Sequence, residues 1–98
     1  MLTFYYLGDK TMIKMWAKVM NKEKIAKQLV YESIDNFSAD TFHLHIAEIC
    51  HKLDLPTPIV LPAHIKHFVF YNNCTFKQRD FVEQIDFEKL NIENFRQN

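Results

Sequence analysis

The stretch DTFHLHIAEICHKL, from Asp40 to Leu53, determines the fold that this sequence predicts. Its large apolar residues recur at helical spacing: Phe42, Ile46, Ile49 and Leu53. A single apolar stripe of this kind is typical of an amphipathic helix that covers one face of a sheet. Ser38 or Asp40 can accept hydrogen bonds from the free N–H groups at its start, and the run 54–56, Asp-Leu-Pro, marks its end. We therefore predict one main helix that packs on a small sheet.

The residues before this helix predict a β-hairpin. Alternation from Met12 to Met20 places on one face Ile13, Met15, Ala17 and Val19, and on the other Lys14, Trp16, Lys18 and Met20. A second alternating run follows over 25–31, with one face formed by Ile25, Lys27, Leu29 and Tyr31. The polar residues Asn21 to Lys24 separate the two runs. We predict an antiparallel hairpin of half-buried strands with a four-residue loop.

After the main helix the pattern is broken by prolines. Residues 59–61 predict a short buried strand or an extended link, and Pro62 suits the first position of a brief helix. Cys74 lies in a loop-like stretch. We expect a closing edge strand where residues 90–93 alternate.

A capping-box pattern, Thr75 followed by Gln78, predicts a second helix over about residues 76–84. Its inward side chains would be Phe81, Val82 and Ile85. The predicted fold class is α+β. An antiparallel sheet of three to four strands, starting with the hairpin, packs against one main amphipathic helix and a shorter second helix.

Length and composition predict one compact domain. The 98 residues are 48 % hydrophobic and 14 % aromatic with a single glycine, which is too apolar for a disordered chain. A chain of this size buries roughly two thirds of its unfolded surface, enough for one core. We assign residues 12–98 to a single α+β domain and residues 1–11 to an N-terminal extension or arm.

Charge and cysteine content narrow the class of protein. Twelve basic and twelve acidic side chains leave a formal net charge of zero, so no overall field attracts nucleic acid or an anionic membrane. Two cysteines do not form the disulfide framework of a small secreted protein. The N-terminus lacks the features of a secretion signal, and no apolar run approaches the roughly 20 residues that cross a bilayer. We expect a cytoplasmic protein without membrane association.

Two runs carry a resemblance to a known group of proteins: MIKMWAKVM, residues 12–20, and FVEQIDFEKLNIENF, residues 81–95. They resemble short uncharacterised proteins of low-GC Gram-positive bacteria such as clostridia. The resemblance covers residues 12–95 and implies a bacterial cytoplasmic origin. The family has no known function to transfer.

The five histidines raise the question of a metal site. On a helix, chelating residues must lie three or four positions apart, which excludes pairs among His43, His45 and His51 and leaves His64 with His67. No Cys-x-x-Cys or His-Glu-x-x-His motif occurs. We predict no metal site and no cofactor, and whether His64 and His67 ever bind a metal stays open.

Catalytic groups are not indicated either. Cys50 lies on the buried side of the main helix, where a thiol is usually inert packing, so a Cys50 nucleophile with a histidine base is not expected. Glu83, Asp86 and Glu88 lie where nothing sets the distance between their carboxylates. A domain this small rarely shapes a pocket for acid and base chemistry. We predict no catalytic residues and no enzyme activity.

The hairpin carries the candidate interaction surface: Trp16, Met20, Lys14, Lys18 and Tyr31. The aromatic content exceeds what a core of this size absorbs, and exposed aromatic and methionine side chains mark protein contacts. We predict a protein-interaction or regulatory module whose partner is a protein, most simply a second copy in a homodimer. Residues 1–11, with Phe4, Tyr5 and Tyr6, are a rival cover for Trp16. The alternative function is nucleic-acid binding, with Trp16 stacked on a base and the two lysines on phosphates.

Overall fold

The computed structural model describes residues 12–95, which form a four-stranded antiparallel sheet and two α-helices. The strands are β1 (Ile13–Asn21), β2 (Lys24–Ser33), β3 (Asn73–Lys77) and β4 (Lys89–Asn94). The helices are α1 (Phe42–Lys52) and α2 (Pro62–Tyr71), and 3-10 turns span Ala39–Thr41 and Gln78–Asp80. The strand order is β2-β1-β4-β3. The α+β class is confirmed, and the arm assigned to residues 1–11 lies outside the described residues.

Both helices pack on one face of this sheet, which we call the inner face. Its β1 side chains alternate as the sequence predicts, and each is at most 4 % exposed: Ile13, Met15, Ala17 and Val19. Phe42, Ile46 and Ile49 of α1 are fully buried in the same core. Each such side chain contributes roughly 1.5–3 kcal/mol of hydrophobic stabilisation. The predicted main helix is therefore confirmed, with its first residues in a 3-10 turn where Ser38 accepts the Asp40 N–H at 3.1 Å.

The hairpin turn is shorter than predicted. Asn21 and Lys24 pair with each other, so the loop has two residues rather than four. Lys22 and Glu23 adopt left-handed φ angles of 54° and 67°. A two-residue turn with both positions left-handed has the twist of the strands that it connects. Asn21 and Lys24 can therefore belong to the strands instead of the loop.

A register shift in the hairpin moves Ile25 to the opposite face. Val19 pairs with Lys27 whereas Met20 pairs with Ile25, so β2 carries one extra residue at this point. Directly opposed residues of an antiparallel pair share a face, which places Ile25 beside Met20. The prediction that Ile25 shares a face with Lys27 is wrong, because a β-bulge shifts the alternation of the strand that contains it.

The strand predicted at the edge of the sheet is central. β4 pairs with β1 on one side and with β3 on the other. Its inward residues, Leu90 and Ile92, have no exposed surface. Alternation shows which face of a strand is buried, but it does not show how many strands lie beside it. The sequence pattern could therefore not distinguish an edge strand from a central one.

The prediction of a helix over residues 76–84 is wrong. The shorter helix is α2, which begins at Pro62 as the sequence predicts. Cys74, predicted in a loop, belongs to β3 and is buried. The Gln78 side chain donates to the Phe87 carbonyl at 3.0 Å instead of capping a helix, and Val82 is 81 % exposed. Pairing of β3 with β4 outweighs the local capping pattern. Neither helix within residues 12–95 has the length and apolar character needed to span a membrane.

Candidate interaction surface

The face of the sheet opposite the helices, which we call the outer face, holds four of the five predicted surface residues. Each of the four strands contributes side chains to it, in the order of the strands across the sheet: Ile25, Gln28, Val30 and Glu32 from β2; Lys14, Trp16, Lys18 and Met20 from β1; Lys89, Asn91 and Glu93 from β4; and Asn73, Thr75 and Lys77 from β3. Among residues 12–95, neither helix contributes to covering this face, because the buried residues of both belong to the inner core. The outer face is thus open in the part of the chain that the structure describes.

Trp16 lies near the middle of the outer face and is half-buried by its neighbours. Its indole N–H donates to Gln28 Oε1 at 2.9 Å. The Lys18 ammonium lies 4.1 Å from the ring centroid, and the Phe95 ring centroid is 5.9 Å away. Phe95 therefore supplies part of the cover that we expected from a second copy or from residues 1–11.

The two predicted cations of this surface each have a carboxylate partner. Lys18 Nζ lies 3.1 Å from Glu93 Oε1, and Lys14 Nζ lies 3.7 Å from Glu32 Oε2. Lys14 also lies over the Phe95 ring at 5.3 Å. The Lys14–Glu32 pair is exposed and contributes at most about 1 kcal/mol, whereas the Lys18–Glu93 pair is partly buried. Both pairs reduce the charge available to a phosphate ligand.

Apolar pairs occupy the β1–β2 half of the outer face. Along this half the cross-strand pairs are, in order, Trp16 with Val30, Lys18 with Gln28, and Met20 with Ile25. Val30 is 46 % exposed and Ile25 is 42 % exposed. On an open antiparallel face polar side chains are the norm, so these two apolar pairs form a partly exposed apolar patch.

Tyr31, the fifth predicted surface residue, is not on this surface. It points to the inner face, is 4 % exposed, and contacts α1. Its hydroxyl lies 2.7 Å from His45 Nδ1 and donates to Glu48 Oε1 at 2.9 Å. Burial, followed by the hydrogen bond and the charge of Glu48, raises the pKa of Tyr31 to about 12. The prediction of Tyr31 as a contact residue is corrected, because its alternation with Val30 directs it inward.

The histidines occupy separate environments. His64 accepts the Leu61 N–H through Nδ1 at 2.9 Å, so its Nε2 carries the proton and faces Asp80 Oδ2 at 3.3 Å. His67 donates from Nδ1 to the Asn73 carbonyl at 2.7 Å. Within residues 12–95 no three His, Cys, Asp or Glu side chains are grouped closely enough to hold a metal ion.

Both cysteines are buried free thiols. Burial raises the pKa of Cys50 to about 11 and the pKa of Cys74 to about 12. A nucleophilic cysteine requires the thiolate, which needs a lowered pKa and access to solvent. Neither thiol has the properties of a nucleophile.

A cluster of cations that we did not predict lies at the β3–β4 end of the outer face. Lys77 of β3 is directly opposite Lys89 of β4. With Arg79, Gln78 and Glu88 they line an open cleft of about 620 Å³, which we call the cation cleft. The two lysines lie twelve positions apart in the sequence. Only the strand register, which the sequence pattern did not reveal, brings them together.

Comparison of the chain with protein-family models, with curated proteins and with solved structures finds no match. The resemblance to clostridial proteins therefore stays a prediction.

Proposed function

We propose that this protein is a small self-associating module that acts through protein contacts rather than catalysis, and that the β1–β2 half of the outer face is its contact surface. The observation that carries the proposal is the presence of two apolar cross-strand pairs on a face that neither helix covers. Aromatic and methionine side chains are enriched in the centres of protein interfaces, and Trp16 and Met20 lie on this half.

A second copy of the chain is the partner that the pattern favours. The order of the pairs is apolar, polar, apolar, with the Lys18–Gln28 pair in the middle. A two-fold axis through this polar pair would place the Trp16–Val30 pair of one copy on the Met20–Ile25 pair of the other. Such self-complementary interfaces form the commonest class of oligomer.

The nucleic-acid alternative has less support. A base could stack on Trp16 only by displacing the Lys18 ammonium, which lies 4.1 Å from the ring centroid. Phosphates would also compete with the carboxylates that already pair with Lys14 and Lys18. Because these existing contacts would be lost, the net free energy of binding a nucleic-acid strand would be less favourable.

Light scattering of the full chain tests the proposal. At about tens of micromolar we expect roughly twice the monomer mass of 11.8 kDa. Val30→Glu places a charge in the proposed interface without removing a hydrogen bond, so this variant should be a folded monomer. Ile34→Glu is the matched control: Ile34 is 74 % exposed, lies just beyond β2, and should leave the dimer intact.

Two outcomes contradict the proposal. A wild-type monomer across this range would exclude self-association through the apolar pairs. Micromolar binding of a random single strand at physiological salt, lost in the double variant Lys14→Glu and Lys18→Glu, would instead support the nucleic-acid alternative, because phosphate contacts are salt-sensitive.

A further inference from the structure

We propose that the cation cleft is a binding site for a phosphate-class oxyanion, held by Lys77, Lys89 and Arg79. The cleft lies on the β3–β4 half of the outer face and borders the Met20–Ile25 pair, because Lys89 is directly opposite Met20. The proposal goes beyond self-association, because it concerns a small ligand rather than a protein.

The strand register brings the first two cations together. Lys77 and Lys89 are directly opposed in the antiparallel β3–β4 pair, so both side chains rise from the same face. Like charges in directly opposed positions destabilise a sheet. An anion bound between Lys77 and Lys89 would therefore offset the repulsion between their ammonium groups.

No ion pair relieves this repulsion within the described part of the chain. Among residues 12–95, Lys77, Lys89 and Arg79 form no ion pair, whereas Lys14 and Lys18 on the same face each pair with a glutamate. Two acidic residues lie close by but have other partners. Asp80 accepts the Lys77 backbone N–H at 2.8 Å and faces His64 Nε2. Glu88, which lines the cleft, accepts the Lys22 backbone N–H at 3.2 Å.

Protection of a sheet edge explains only one of the lysines. A lysine on an exposed edge strand prevents unwanted pairing with another chain, and β3 is an edge strand, so Lys77 fits this role. Lys89 lies on β4, which has a neighbour on each side and no edge to protect. Its position opposite Lys77 needs another explanation, and an anionic ligand supplies one.

The donors in the cleft match a tetrahedral dianion. Two ammonium groups offer three N–H donors each, and the planar guanidinium of Arg79 can bind two oxygens of one phosphate at once. A phosphomonoester has a second pKa near 6 and is a dianion at neutral pH. The volume of about 620 Å³ admits such a group together with the part of the molecule that carries it.

The test is an NMR titration of amide resonances in the full chain with inorganic phosphate, at constant ionic strength and about pH 7.5. We expect saturable shifts that are largest at Lys77, Arg79 and Lys89. Lys89→Gln should weaken binding by about tenfold or more, which corresponds to losing one charge-assisted contact. Lys14→Gln is the control, because it removes an equal charge from the same face but outside the cleft, and it should leave the affinity unchanged.

A second readout uses stability. In phosphate-free buffer Lys89→Gln should raise the midpoint of urea unfolding, because it removes the like-charge pair, whereas Lys14→Gln should leave it unchanged or lower it. Added phosphate should raise the midpoint of the wild type more than that of Lys89→Gln.

The ligand source is distinguished by a parallel titration with a nucleoside 5′-monophosphate. Equal affinity means that free phosphate is sufficient, and affinity about tenfold higher assigns the site to a phosphomonoester. Shifts that never saturate, or that an equal ionic strength of sodium chloride reproduces, would overturn the proposal as mere screening. The proposal would also fail if a short single-stranded nucleic acid binds while neither inorganic phosphate nor the nucleoside monophosphate does. The cleft would then be a general surface for polyanions.

Discussion

Tyr31→Phe should destabilise the protein by about 2 kcal/mol, since a hydroxyl is removed and the ring that packs between β2 and α1 is kept. In the wild type the hydroxyl donates to Glu48, so the contact of 2.7 Å with His45 is a bond from Nδ1–H to the Tyr31 oxygen. His45 Nε2 is already buried without a hydrogen-bond partner among the described residues, and the carboxylate oxygen Asp35 Oδ2 lies 4.0 Å away, beyond hydrogen-bond distance. The variant would therefore leave both ring nitrogens of a buried histidine unsatisfied.

The magnitude follows from the two lost hydrogen bonds. A buried donor left without a partner costs about 1–3 kcal/mol. The bond to Glu48 adds little, because Glu48 is exposed and water can replace the hydroxyl. No cavity larger than the hydroxyl forms, so no additional packing term is expected.

Urea unfolding followed by Trp16 fluorescence measures the difference. The matched control is Tyr71→Phe, because Tyr71 is 65 % exposed and its substitution should change the free energy of unfolding by less than about 0.5 kcal/mol. If Tyr31→Phe costs no more than the control, with an unchanged dependence on urea, the buried hydrogen bond does not stabilise the fold and the reasoning is refuted.

The pH dependence gives the same variant a second test. The pKa of Tyr31 is raised from 10.0 to about 12 in the folded protein, so folding favours the neutral phenol. This contribution is present in full below pH 10 and is lost between pH 10 and about 12, where the unfolded chain ionises first. Two pKa units correspond to a loss of up to about 2.7 kcal/mol over this window. Tyr31→Phe should lack this part of the loss but keep the part caused by Cys50 and Cys74, whose pKa values are also raised by burial.

Three further changes test other parts of the structure. Ile49→Ala should lower the free energy of unfolding by about 2–5 kcal/mol, whereas Leu44→Ala on the exposed side of α1 should change it by less than about 0.5 kcal/mol, both measured with urea. Glu23→Gly should raise it by up to about 1 kcal/mol, because glycine adopts the left-handed turn conformation without strain, and equal or lower stability would contradict the turn assignment. A thiol-specific disulfide reagent should react with Cys74 only as fast as the protein unfolds, and rapid labelling of the native protein would show that the thiol is accessible.

The elements that the sequence predicted correctly are those whose pattern is local. Ile46 and Ile49 mark the buried side of α1 because helical spacing repeats within a few residues, and Met15 marks the buried side of β1 for the same reason. When one face of an element is buried, its apolar residues recur at the spacing of a helix or of a strand. Both elements could therefore be predicted without knowing which other elements they contact.

The features that the sequence did not predict depend on distant partners. Thr75 and Gln78 have the spacing of a helix cap, yet pairing with β4 places Thr75 in strand β3, and Gln78 begins a 3-10 turn. The extra residue in β2 is visible only once Met20 is known to pair with Ile25. The same holds for the candidate sites. Trp16 could be placed on an exposed face from alternation alone, whereas the Lys77–Lys89 pair exists only through the register of two separated strands.

The central position of β4 has a consequence for the order in which the protein folds. The β1–β2 hairpin is local and can form within microseconds, but the contacts of β1 with β4 join residues about 70 positions apart in the chain. Until residues 89–94 have left the ribosome, β1 lacks one neighbour and β3 has none, so the inward side of α1 has only half a sheet beneath it. Of these four strands, β4 is made last and joins the two halves, so we expect the core to be completed only after this region has been synthesised.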